Sequence, residues 1–259
     1  MIPSLFAYTA RLRAKAIAGW LAAAFALGAL MIYLFTPGPL AGLQDLRGAL
    51  PQVLAALGYM GGASAGVHAL ETVYGFLFPL MVILHAVSSG ADLYARPLAD
   101  GRMAALLAAP HSRAGVLGTL MLEQAAEVIL LCAACLAGQA LAGAVFIQDA
   151  QLPALARLMA GFFPVCLAYA AFSAFSAQAA RTPRGARRLS LWVSLLTLAF
   201  LMMSRFQALS ALRFLTPFSL HRGLALASGM GGWAEALSAL PLALALYAAS
   251  LLVFSRRDL

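Results

Sequence analysis

The sequence predicts an all-α polytopic membrane protein, and three features of it do so. Hydrophobic residues make up 63% of the chain and charged residues only 10%, with a mean hydropathy of +0.90, which exceeds the composition of ordinary soluble domains. Apolar stretches long enough to cross a bilayer core, about 20 residues each, recur along the 259 residues. The sparse charges gather between these stretches. Backbone groups must satisfy one another in lipid, so each stretch is expected as a helix.

Six spans are expected, at residues 17–35, 73–89, 116–137, 158–180, 189–206 and 237–254, which places both termini on one side. Residues 1–15 precede the first span and carry Arg11, Arg13 and Lys15; they are expected as an interfacial helix along the membrane surface. A secretory signal has a similar basic start, but the long apolar stretch and five further spans point to an uncleaved anchor. Between spans 2 and 3 lies the largest loop on that side, residues 91–115, containing "ADGRMAALLAAPHSR". This segment reads as a short helix, with Asp100 suited to the helix start and Pro110 stopping it. Met103, Leu106 and Leu107 fall on one face, so the helix needs a partner groove or the lipid surface. The stretch "LTPFSLHRGLALASGMGGW" between spans 5 and 6 is too short for a hairpin of full spans; it is expected as a re-entrant element or a surface helical turn. Internal repeats, low-complexity tails and separable soluble domains are absent, so residues 1–259 read as one transmembrane domain.

Twelve of the 17 Lys and Arg residues fall on the side of the termini, and only Arg47, Arg157, Arg205, Arg213 and Arg222 on the other. Cytoplasmic loops retain positive charge, so both termini and the 91–115 loop are expected in the cytosol. The net charge of +8 is then a matter of topology and anionic lipid, with no aromatic-interleaved basic patch for nucleic acid. Trp20, Trp192 and Trp233 lie near span ends, as interfacial anchors or as packing residues between helices.

Catalytic signals are thin. Cys132, Cys135 and Cys166 all lie inside spans, which argues against a disulfide framework, and no metal-binding partner accompanies the pair Cys132 and Cys135. His68 and Glu71 lack the second histidine of a metalloprotease helix, since position 72 is Thr72. His85 stands alone on an apolar face, and no nucleophile elbow is present. A phosphate-binding P-loop needs a Gly-Lys pair, whereas the single lysine, Lys15, follows Ala14. ATP hydrolysis cannot come from a P-loop in this chain.

Two features remain as candidates. Glu123 and Glu127 stand four apart near the start of the third span; ionisable groups in a span are costly and usually face protein or water. They are expected to meet arginines such as Arg181 or Arg184, to line a gate, or to sit at headgroup level. Gly58, Gly62 and Gly66 in "GYMGGASAG" make a small-residue face that suits a dimer seam, or else a flexible outer loop.

Residues 100–113, "DGRMAALLAAPHSR", resemble the loop between the second and third helices in membrane permeases of the type-2 ABC exporter class, through Leu106, Leu107, Pro110, Ser112 and Arg113. The segments "LQDLRGALPQVLAALG" and "LTPFSLHRGLALASG" and the ending "VFSRRDL" are also similar to that family, so the resemblance spans nearly the full length. Two departures are visible. The usual acidic run is reduced to Asp92 and Asp100, and Thr119 stands where many relatives have lysine. The resemblance implies a permease subunit in a bacterial inner membrane, working as a homodimer or with a related second permease chain, and moving substrate outward. It implies a coupling helix formed by Asp100, Arg102, Met103, Leu106, Leu107, Pro110 and Arg113, docked on a separate nucleotide-binding ATPase subunit that holds ATP and Mg. In that arrangement Met103, Leu106 and Leu107 fill the partner's groove, Arg102 and Arg113 steer it by charge, and this chain carries no cofactor of its own. The alternative is a membrane-embedded enzyme or assembly factor using Glu123, Glu127 and His85.

Overall fold

The computed structural model describes residues 2–57, 73–108, 110–147, 151–180 and 182–256. Helix α1 (Pro3–Tyr33) is followed by two short helices, α2 (Pro37–Ala49) and α3 (Pro51–Leu57). The second long helix is α4 (Val73–Ala99), and the seven-residue α5 (Arg102–Ala108) comes after it. Next are α6 (Arg113–Phe146), α7 (Leu152–Ala179) and α8 (Pro183–Met203). A run of 3-10 turns leads to α9 (Gly223–Ser228), and α10 (Trp233–Ser255) closes the chain. Helices α1, α4, α6, α7, α8 and α10 are the six that are long and apolar enough to cross a membrane, matching the six expected spans. The protein is a multi-pass membrane protein, and no strand occurs among the described residues.

The first element departs from expectation. Residues 3–33 form one uninterrupted helix, about 46 Å long at 1.5 Å per residue, with no break between a surface segment and a span. Nothing in "RAKAIAGWLAAAF" can stop a helix: alanine dominates, and the lone Gly19 costs only about 1 kcal/mol. Arg13 then lies on the buried side of the helix, 9% exposed.

Helices α1 and α6 run parallel and in register. The Ile2 backbone N–H donates to Thr119 Oγ1 at 2.9 Å near one end; the rings of Tyr33 and Phe146 meet edge to face, with centroids 5.1 Å apart, at the other. Between them the backbones touch. A Cβ built on Gly28 would lie 2.2 Å from the Cys135 carbonyl oxygen, and one on Gly138 would lie 2.1 Å from that of Phe25. Only glycine permits this approach, which brings many dispersion contacts into play where lipid gives helices no hydrophobic reason to pair.

Helix α7 is the centre of the bundle and packs on α4, α6, α8 and α10. Hydroxyl caps start two of the spans: Ser112 Oγ accepts the Gly115 N–H at 3.0 Å, and Thr182 Oγ1 accepts that of Gly185 at 3.0 Å. Both ends of the described chain sit beside the start of α6, through the Ile2 bond and through Arg113 Nη1, which donates to the Ser255 carbonyl at 3.3 Å. We call this the basic end.

At the opposite end, residues 207–228 make a cap of short turns. Phe218 and Leu226 insert from it into the main apolar core, and Arg157 donates to the carbonyls of Leu226 at 2.9 Å and Ala227 at 2.7 Å. Those carbonyls lie in the last turn of α9, where helical donors run out; Gly229, at φ 75°, terminates it and donates its own N–H to the Leu226 carbonyl at 3.1 Å. Trp20 meets His85 edge to face at 5.6 Å, which makes it a packing residue. Trp192 and Trp233 are exposed on the bundle surface.

Candidate functional site

The site is built at the basic end, where α1, α4, α5 and α6 converge. Asp100 stands two residues ahead of α5, and its carboxylate accepts the Arg102 backbone N–H at 3.3 Å and the Arg102 Nε–H at 2.8 Å. The Arg102 hydrogen bond holds the Asp100 carboxyl below the usual carboxylate range. The pair therefore persists at neutral pH and is lost only in acid. Gly101 turns the chain between the two helices at φ 77°, a region that side chains disfavour.

The face formed by Met103, Leu106 and Leu107 is real, but it points inward. Met103 is fully buried against Leu93, Leu117 and their neighbours, and Leu106 and Leu107 are half-buried on the same cluster. Met103, expected from the sequence to fill a partner's groove, is here buried in this chain's own core, where it pins α5 to the bundle. The exposed side of α5 consists of Arg102, Ala104, Ala105 and Ala108, with Pro110 exposed beyond its end. Arg102 is engaged with Asp100 and Arg113 with the end of α10, so neither is a lone surface charge.

Glu123 and Glu127 are deeply buried, at 1% and 3% exposure, and not at a solvent-washed surface. Their cation is Arg13, which the sequence reading assigned to the membrane surface. Arg13 grips Glu127 with both terminal nitrogens, Nη2 lying 3.1 Å from Oε2, while Nη1 stands 3.7 Å from Glu123 Oε1. Arg184 is not their partner, and Arg181 lies outside the described residues. Thr9 contacts Glu123 Oε2, and His85 Nε2 approaches Glu127 Oε2 to 3.4 Å from α4. A legible signal existed for the missed residues. Thr9 and Arg13 are four apart on α1, as Glu123 and Glu127 are on α6, so two parallel helices in register bring both pairs together.

One residue along α6, Gln124 ties four helices. Its Oε1 accepts from Tyr94 at 3.0 Å and Tyr247 at 3.3 Å, and its Nε2 donates to Ser89 and Ser173, both at 3.0 Å. All four hydrogen-bonding positions of the amide are thereby used. Tyr94 reaches it from a π-helical turn, Ala91–Ala95, a distortion often found at functional positions.

Beside this polar layer a cavity of about 520 Å³ separates the first half of α1 from α4 and α5. Thr9 and Arg13 line one wall, Asp92 and Arg96 a second, and Met103 and Leu106 of α5 the third. The volume falls in the usual range for small-molecule sites.

No family model fits the chain, and no curated protein aligns with it significantly.

Other sequence candidates have ordinary surroundings. Cys132 and Cys166 place their sulfurs 4.0 Å apart across α6 and α7, buried among apolar side chains. Among the described residues no three His, Cys, Asp or Glu side chains gather into a metal site. Gly58, Gly62 and Gly66, like His68 and Glu71, lie outside the described residues. At the far end His221 packs on Tyr74 and Phe162. Burial pushes its pKa down to about 4, so it is neutral at physiological pH. Its Nε2 carries the hydrogen, because the atom 3.1 Å away is the Leu158 carbonyl oxygen, which can only accept.

Proposed function

We propose that the protein is the membrane-spanning permease subunit of an ATP-driven ABC exporter. In this reading a separate nucleotide-binding subunit holds ATP and Mg and hydrolyses the nucleotide, a second permease chain completes the pathway, and the basic end with both termini faces the cytosol of a bacterial inner membrane. Lipid surrounds the spans, and nucleic acid has no part. The observation that carries the reading is the setting of α5. A short helix lies between the second and third spans at the end where Lys and Arg collect, anchored from beneath by Met103 and presenting a smooth alanine face outward. Such an element can pass a push from a docked partner straight to α4 and α6, which it joins. The Arg13 and Gln124 clusters then link that movement to α1, α7 and α10. An ATP-driven cycle needs such a rigid lever on packed, two-state elements.

The test is a mild-detergent isolation of the tagged chain, with ATPase activity assayed in the eluate. Wild type is expected to bring down a stoichiometric P-loop ATPase. The surface variant Ala104→Glu/Ala108→Glu should lose it while keeping its own fold. Leu106→Asp, which also disturbs the seat of α5, should uncouple ATP hydrolysis from transport in vesicles. Absence of any ATPase with wild type, together with a chemical activity of the isolated chain that needs no ATP, would favour the membrane-embedded enzyme or assembly factor built on Glu123, Glu127 and His85.

A further inference from the structure

We propose that Glu123 is a proton-binding site: in the packed bundle it is the neutral acid, and it fastens α6 to α1 by donating its hydrogen to the Thr9 hydroxyl. The charge of the buried cluster leads there, and the hydrogen-bonding geometry of Thr9 accommodates it.

The charge count concerns the buried cluster. Arg13 holds Glu127 through both terminal nitrogens and makes a neutral pair with it. Glu123 is then a second carboxylate with no cation of its own. Arg13 Nη1 lies 3.7 Å from its Oε1, outside hydrogen-bonding reach, and Oε1 is buried without any hydrogen-bond partner. A carboxylate in that position keeps neither hydration nor a full set of donors, and ionised groups so placed take up a proton instead. The titratable or charged groups packed around it are Arg13 on α1, His85 on α4 and Glu127 on α6, with the phenols of Tyr94 and Tyr247 held on Gln124 next to it. His85 faces Glu127 and not Glu123.

The hydrogen count concerns Thr9. Its hydroxyl has one hydrogen, and the carbonyls of Leu5 at 2.9 Å and Phe6 at 3.2 Å can only accept it. Backbone-directed bonding of this kind is the habit of threonine within helices. With that hydrogen turned to a backbone carbonyl, the carboxyl of the neutral acid can donate to Thr9 Oγ1 across the Thr9–Glu123 Oε2 contact. The chain of donors runs from Glu123 to Thr9 to the backbone carbonyl.

Release of the proton to a water molecule entering the adjoining cavity, whose lining includes Thr9 and Arg13, gives the carboxylate and a hydronium. It reverses the donor in the Thr9 contact and sets two negative charges on one guanidinium, so it changes the bonding between α1 and α6. The opposite wall of that cavity is α5, which places the protonation step beside the element that the permease reading treats as the lever. The site itself rests on the cluster alone, and its failure would leave that reading standing.

Infrared difference spectroscopy of the purified chain in lipid nanodiscs tests it without partner or substrate. Wild type at neutral pH is expected to show the C=O stretch of a protonated, hydrogen-bonded carboxyl that shifts in heavy water and vanishes as pH is raised. Glu123→Gln should abolish the band. Thr9→Val should retain it but move it to the frequency of an unbonded acid, a change that a purely structural role for Thr9 would not produce. No protonated carboxyl in folded wild type, or a band unaltered by Thr9→Val, would overturn the proposal; the second variant and the wild-type titration decide the matter if Glu123→Gln does not fold.

Discussion

Arg13→Met is expected to destabilise the purified protein by about 3–5 kcal/mol, because it leaves the buried Glu127 carboxylate without its cation. Glu127 is 3% exposed, and the His85 ring lies 3.4 Å from it. Glu127→Gln should cost clearly less, since Glu123 stands 3.7 Å from the guanidinium and can ionise to become its counter-ion. The double variant Arg13→Met/Glu127→Leu should recover most of the loss, as paired removal of a buried ion pair often does. Unfolding titrations in mixed micelles measure all three. Equal losses from Arg13→Met and Glu127→Gln would mean that Glu123 does not share the cation.

The second large effect is expected at the glycine contact between α1 and α6. In Gly138→Ile the first side-chain carbon alone would sit 2.1 Å from the Phe25 carbonyl oxygen and 3.0 Å from the Ala29 nitrogen. These are backbone atoms that cannot turn away, so the helices must part. Overpacking in a tight core costs about 1–3 kcal/mol and occasionally more; here the upper end is expected, with loss of the folded species on size exclusion. Gly19→Ala supplies the control. Nothing lies within 4 Å of its Cβ position, and alanine favours the helix by up to about 1 kcal/mol. If both variants behaved alike in the same unfolding assay, the close approach would be refuted.

The spans were legible because apolar length and charge position are local properties of the chain. What was not legible is which polar residues meet. Arg11, Arg13 and Lys15 look alike in sequence, and a basic cluster before a span reads as a surface segment. Arg13 is distinguished only by Glu127, 114 positions away, and such long-range pairing is set by helix register. Periodicity correctly grouped Met103 with Leu106 and Leu107, yet it cannot say whether a face turns toward the chain's own core or outward. The structure turns Met103 inward because α5 returns over Leu93 and Leu117. Gly28 and Gly138 carry no motif at all, since their role appears only when two helices lie in parallel. Gln124 was passed over for a related reason: an amide in a span declares itself only through its partners on α4, α7 and α10.

The central claim is that the alanine face of α5 meets an ATPase subunit, and site-directed crosslinking tests it most directly. In a variant lacking Cys132, Cys135 and Cys166, a single cysteine replaces Ala108, which is exposed on that face. Treatment of membranes with a thiol-reactive photo-crosslinker is expected to join this chain to a protein that contains a P-loop, with a yield that changes when ATP is added. Crosslinking to lipid alone, under conditions where the protein retains its cellular activity, would contradict the account.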